Sequence, residues 1–219
     1  MTDDNEQRHA WQILNSAIKQ TDSFFDKNET IYVEASKFAT ILEHDTILLH
    51  YTLTQLLENN NELRATFIHY YDSSKKQQIY LIHDKSHIQR TVFNDYISEM
   101  KQRSLREHFE KNHLRPFWDN PSISITDNQA HINFFVPFSD ESKRLKGFIG
   151  FNMNLKWIDD ILNSSLTYYK NDAHAFMFML TPDGFAVSVA GNVITKNNNL
   201  IEEVKDNDAF TTMLYNMRN

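Results

Sequence analysis

From Asp4 to about Leu42 the chain contains neither glycine nor proline. Apolar or small side chains fall at Trp11, Leu14, Ile18, Phe25, Tyr32, Ala35, Ala39 and Leu42, with polar Thr21 and Asn28 completing the spacing. Steps of three and four residues make a heptad stripe, which a helix gathers along one side. The run predicts a single helix of roughly 35 residues or more, beyond the ~20 residues of ordinary globular helices. Such a helix serves either as the spine of a core or as a rod entering from a membrane anchor or a partner.

His44-Asp45-Thr46 supplies capping residues, and Ile47, Leu48, Tyr51, Leu53, Leu56 and Leu57 predict a second helix that stops in Asn59-Asn60-Asn61. The period then changes. Ala65 to Tyr71 and Gln78 to His83 are rich in β-branched and aromatic residues and read as a hairpin. Helical spacing returns from about Gln89 to Asn112, through Val92, Phe93, Tyr96, Ile97, Met100, Leu105 and Phe109. Two prolines then fix the loop Leu114-Arg115-Pro116-Phe117-Trp118-Asp119-Asn120-Pro121, because proline locks φ and restricts the residue before it. Ala130 to Phe138 and Phe148 to Leu155 predict a second strand pair around the polar turn Ser139 to Arg144. A short helix at Lys156 to Leu166, a third pair at Ala173 to Leu180 and Phe185 to Ala190 around Thr181-Pro182-Asp183-Gly184, and a helix at Asn199 to Met217 complete the order. Hairpin-joined strands with helices packed on them make an α+β plan, with one antiparallel sheet of about five strands between Ala65 and Leu155 in which Ser122 to Thr126 supplies a short middle strand. The last strand pair begins a module that no later strand completes, and two strands are marginal alone.

Composition narrows the chemistry. With 22 Lys+Arg against 29 Asp+Glu, a net charge of -7 and no cysteine, the chain lacks the basic field that gathers phosphates and has no thiolate for metal or disulfide chemistry. Nucleic acid is therefore not an expected partner. Four glycines and four prolines in 219 residues leave no glycine-rich phosphate cradle. The ten histidines show no zinc-binding spacing, His83 and His87 being the only pair four apart. No metal and no cofactor is expected. Nor is there a G-x-S-x-G elbow, and Asp3-Asp4, Asp159-Asp160 and Glu202-Glu203 sit where solvated charge suffices, so an enzyme is not the favoured reading; one would need residues such as His131 and Asp119 to converge. No stretch approaches ~18 apolar residues, and Met1-Thr2 before an acidic helical start is expected to begin an excised segment of a membrane protein.

Five features, in order, resemble the extracytoplasmic double Cache (PAS-like) sensor regions of bacterial transmembrane receptors. They are the long first helix, the Arg115-Pro116-Phe117-Trp118 loop, the strand Asn133-Phe134-Phe135-Val136-Pro137-Phe138, the strand Gly147-Phe148-Ile149-Gly150-Phe151-Asn152-Met153-Asn154-Leu155, and Phe178-Met179-Leu180-Thr181-Pro182-Asp183-Gly184. The resemblance implies an N-terminal helical region at 1–62, a membrane-distal PAS-like module at 63–168, and part of a membrane-proximal module at 169–219. It further implies a periplasmic or extracellular segment of an inner-membrane protein, a homodimer in the intact receptor, and flanking transmembrane helices and a cytoplasmic output domain outside this chain.

In amino-acid-binding members of that family the loop arginine takes the ligand carboxylate, the aromatics after it wall the pocket, and acids take the ammonium. Arg115, Phe117 and Trp118 match, and Phe135 lies on the strand lining the same pocket. Asn152 stands in place of the Asp, and Ser122-Ile123-Ser124 in place of a Tyr-x-Asp. A free amine would meet no counter-charge, and an unpaired buried charge costs several kcal/mol. The expected ligand is therefore a small organic acid or a similar solute bound by Arg115, Phe117, Trp118, Ser122, Ser124, Phe135 and Asn152. Arg115 has a plain alternative role as the ion-pair partner of Asp119. The whole chain has one too, as a dimerisation or interaction module whose pocket is vestigial.

Overall fold

The computed structural model describes residues 3–42, 45–72, 79–84, 87–91, 99–123, 130–169, 176–180 and 186–191. The first helix, α1, runs unbroken over Asp3–Ile41, close to the length its heptad stripe demands. At 1.5 Å per residue its 39 residues span about 58 Å. Asp45 caps the second helix, α2 (Thr46–Glu58), its carboxylate accepting the Leu48 N–H at 3.0 Å. The expected final helix at Asn199 to Met217 and the turn Thr181 to Gly184 lie outside the described residues.

The chain divides into two compact units. The larger comprises 26–120 and 131–154. Its sheet contains β1 (Leu63–Tyr70), β2 (Ile79–Asp84), β3 (His87–Thr91), β4 (Phe117–Trp118), β6 (Ala130–Ser139) and β7 (Leu145–Asn154), while the two-residue β5 (Ser122–Ile123) belongs to the other unit. The order is β3-β2-β1-β7-β6-β4, and all neighbours are antiparallel. Five strands of five to ten residues make the expected antiparallel sheet, but the fifth is β3 at one edge rather than a short middle strand at Ser122 to Thr126, and the two-residue β4 is added at the other edge.

The expected helix beginning at Gln89 is corrected at its start. Gln89 to Thr91 belong to β3, which pairs with β2, and the helix α3 occupies Glu99–Lys111. A sheet-edge strand has no need of a continuous apolar side, so His87-Ile88-Gln89-Arg90-Thr91 gives little periodic signal. Val92, Phe93, Tyr96 and Ile97 lie outside the described residues.

β1 and β7 are buried along almost their whole length, as central strands covered on both faces must be. One face meets α1: the Tyr32 ring stacks on Phe151 at 4.3 Å and 9°, with Phe134 at 6.2 Å. Stacking of this kind adds about 0.5–1.5 kcal/mol beyond the area it buries. The opposite face carries a cluster of Ala65, Phe67, Tyr80, Phe135 and Phe148, closed by Leu105 and Phe109 of α3.

The second unit comprises 1–25, 121–130 and 155–219. Its helix α4 (Lys156–Ser165) buries Ile158 and Leu162 and packs on the hairpin of β8 (Phe176–Leu180) and β9 (Ala186–Gly191). The Ser188 hydroxyl donates to the Asp159 carboxylate. Trp157 stacks on Phe24 at 3.7 Å and meets Phe25 edge-on at 5.5 Å. Among the described residues no helix is long and apolar enough to cross a membrane, and no group of three or more acids and histidines is placed to hold a metal ion.

Candidate functional site

The face beneath α3 is ordered in cross-strand rows, because antiparallel register places matched residues side by side and strand alternation points them the same way. One row is aromatic. Phe117 of β4 pairs with Phe135 of β6, Phe135 with Gly150 of β7, Gly150 with Phe67 of β1, and Phe67 with Tyr80 of β2. The missing side chain at Gly150 is what lets the row close: a Cβ there would lie 2.0 Å from Cζ of Phe67, whose ring covers the glycine. Phe67, Phe117, Phe135 and Phe148 then meet at ring separations of 5.6 to 6.3 Å.

Two residues along the strands the chemistry changes. The Asp119 N–H donates to the Asn133 carbonyl at 2.8 Å, Asn133 pairs with Asn152, Asn152 with Ala65, and Ala65 with Ile82. The Asn152 amide donates to the Asn133 side-chain oxygen at 2.9 Å, and Asn152 is buried. Lys101 reaches the end of this row from α3, on the same stripe of the helix as Leu105 and Phe109, four and eight residues on. Its ammonium lies 2.7 Å from the Asp119 carboxylate, the two side chains being 43% and 23% exposed.

The residues expected to form the pocket are distributed as follows. Phe117, Phe135 and Asn152 share the α3-covered face, the first two in the aromatic row and Asn152 in the polar one. Trp118 is directed to the opposite face, its ring 4.5 Å from Phe134. Arg115 is exposed and forms no ion pair among the described residues. It follows His113 and Leu114, both in the left-handed region at φ 56 and 57. That double turn closes α3 through the Leu114 N–H to the Phe109 carbonyl, 2.9 Å, and sends Leu114 onto the aromatic cluster while Arg115 goes outward. Ser122 is exposed and belongs to the other unit, and Ser124 lies outside the described residues.

Asp119 does not pair with Arg115; it takes Lys101. His131 faces Arg64, with a guanidinium nitrogen 2.7 Å from Nε2. A guanidinium only donates, so that ring nitrogen accepts. The two side chains that a catalytic reading would bring together are thus held by different cations. Sequence reasoning passed over Asn133 and Lys101. The hairpin around Ser139 to Arg144 carried the signal for Asn133, since its register sets Asn133 beside Asn152. No local pattern marks Lys101, whose partner is 18 residues away.

Comparison with solved structures agrees with this architecture. The periplasmic sensory domain of the Campylobacter jejuni chemoreceptor Tlp1 superposes with a TM-score of 0.69 at 15% identity, over 93% of this chain and 78% of that one. The fold is that of a bacterial receptor sensor domain. The extracellular domain of the putative histidine kinase mmHK1S-Z2 gives a TM-score of 0.68 at 15% identity, covering 93% of this chain and 79% of its own. The ligand-binding domain of the Pseudomonas aeruginosa PAO1 amino acid chemoreceptor PctC, solved with GABA, gives 0.57 at 14% identity over 80% and 71%. Two of these are periplasmic or extracellular domains and the third is a chemoreceptor ligand-binding domain, in keeping with the Cache-like (PAS-like) resemblance. No family model and no curated protein matches the chain.

Proposed function

We propose that this chain is the extracytoplasmic ligand-sensing part of a bacterial inner-membrane signalling receptor, and that its distal module (63–168) binds a small organic acid. The observation that carries the reading is the sensor fold, with an amide pair, Asn133 and Asn152, set into the α3-covered sheet face. Amides offer both donors and acceptors to the oxygens of an acid, whereas an ammonium meeting only dipoles is left with a large desolvation cost. Phe117 and Phe135 wall the apolar side. The 169–219 region is read as part of a second, membrane-proximal module, and transmembrane and output domains as belonging to the rest of the receptor.

Titration calorimetry with acetate, lactate, succinate, GABA and isoleucine tests the class of ligand. Binding of an acid with no binding of the two amino acids is expected; tight binding of a simple amino acid would overturn the assignment. Arg115→Ala should weaken acid binding by at most about 1 kcal/mol, since a guanidinium that stays exposed contributes little to an ion pair.

A second reading is favoured by the aromatic row. Phe67, Phe109, Phe117, Phe135 and Phe148 fill much of the same face with the chain's own rings, as a vestigial pocket would. Trp11, Leu14 and Ile18 are exposed on α1 and fit a parallel homodimer in the intact receptor, so the chain would then act as a dimerisation module. No acid binding together with α1-dependent dimerisation would select it.

A further inference from the structure

The reading above places a small acid on the row containing Asn152, and that row has its own cation. Arg115 lies four residues before Asp119 in sequence, so along an extended backbone it is about 13 Å from the polar row, with Phe117 and Phe135 between. Lys101, by contrast, is tied to the end of the row, its ammonium 2.7 Å from the carboxylate of Asp119, the residue beside Asn133. We propose that Lys101 anchors the ligand carboxylate, and that the Asp119 carboxylate occupies Lys101 in the ligand-free chain as a tethered stand-in which the acid must displace.

Three observations support the exchange. The Lys101–Asp119 pair is partly exposed, so a solute can reach it and exchange does not require opening the core. The released Asp119 has neighbouring donors, since its other oxygen already accepts the Asn120 N–H at 3.0 Å. An acid on Lys101 would have the amides of Asn133 and Asn152 for its remaining oxygens, while Ala65, opposite Asn152, contributes only a methyl group to the row. The proposal depends on the reading of a small-acid ligand and adds to it the cation used and its internal competitor.

The test is calorimetry of the 1–219 chain with acetate, lactate and succinate, and with lactamide as the uncharged control, on wild type, Lys101→Met, Lys101→Arg, Asp119→Asn and Arg115→Ala, with circular dichroism melts reporting that each variant folds. For an acid that binds the wild type, Lys101→Met should weaken binding tenfold or more, Lys101→Arg should retain most of it, and Asp119→Asn should tighten it severalfold by removing the competitor. Weakening by Asp119→Asn would show that this carboxylate is a ligand contact or a structural strut, and would overturn the proposal. So would acid binding that is lost in Arg115→Ala and intact in Lys101→Met, an outcome that leaves the small-acid reading standing. Absence of acid binding in both wild type and Asp119→Asn removes that reading and the inference with it.

Discussion

Gly150 shows how a single missing methyl group organises the α3-covered face. Its neighbour across β1 is Phe67, whose ring occupies the space a side chain would take, and the aromatic row closes through that contact. Gly150→Ala must push the ring aside or move the backbone of β7, and overpacking of this kind costs about 1–3 kcal/mol. A chemical denaturation midpoint unchanged by Gly150→Ala would contradict this account of the row. Among single residues the sequence was informative where chemistry is local: the asparagine at 152 was legible as a departure from an acid, and it is buried with an amide partner. It was uninformative where chemistry is remote. The partner of Asp119 is decided by how α3 docks on the sheet, which brings Lys101 rather than Arg115 within 2.7 Å.

At the level of elements, α1 was readable in length and in its buried face from Thr21 on, and misleading only at its start. Its heptad stripe gives a helix over Asp3–Ile41, yet Trp11, Leu14 and Ile18 at the start of that stripe are exposed, while Ala17, Thr21, Asn28, Tyr32, Ala35 and Ser36 are buried. Of the buried residues, Thr21, Asn28, Tyr32 and Ala35 lie on the expected stripe and Ala17 and Ser36 beside it, and most of them are small or polar. They are nevertheless tolerated inside, because hydroxyls can bond back into their own helix: Thr21 to the Ala17 carbonyl at 2.9 Å and Ser36 to the Val33 carbonyl at 2.7 Å. The exposed residues at 11, 14 and 18 are the surface that the proposed homodimer would use. Replacing Trp11 and Leu14 by glutamate should reduce crosslinking between receptor copies and impair signalling in the full-length protein, while the 1–219 chain keeps its melting temperature within a few degrees. Unaltered crosslinking would remove α1 from the dimer interface. The start of the 89–112 helix was misread for a related reason: β3 is held by its pairing with β2, and backbone pairing at a sheet edge leaves little trace in side-chain pattern.

Across the whole molecule, buried phenols set the alkaline limit of the fold. Burial pushes the Tyr70 hydroxyl up to about 12. Burial also raises Tyr32, with help from the nearby Glu62 carboxylate, and Tyr71, where Arg106 opposes and Glu110 adds to the effect. In the unfolded chain these phenols ionise near 10, so as pH rises the unfolded state loses protons first. Stability linked to the neutral phenols is therefore complete below about pH 10 and declines between about 10 and 12 for Tyr70. Melting temperatures measured from pH 8 to 12 should hold and then fall with increasing slope; a flat profile through about pH 12 would show that these hydroxyls do not ionise on unfolding. The short strand β4 has an optical consequence as well. Its two residues look in opposite directions, Phe117 toward the α3-covered face and Trp118 toward Phe134, and Asp119 follows directly. Trp118 is thus a native fluorophore one peptide bond from the proposed switch, yet on the far side of the sheet, where no solute bound under α3 can quench it by contact. Trp11 is 63% exposed whereas Trp118 and Trp157 are half-buried, so the blue side of the emission spectrum is expected to be dominated by Trp118 and Trp157. With Trp157 replaced by phenylalanine, that blue emission becomes a one-residue readout of movement in β4.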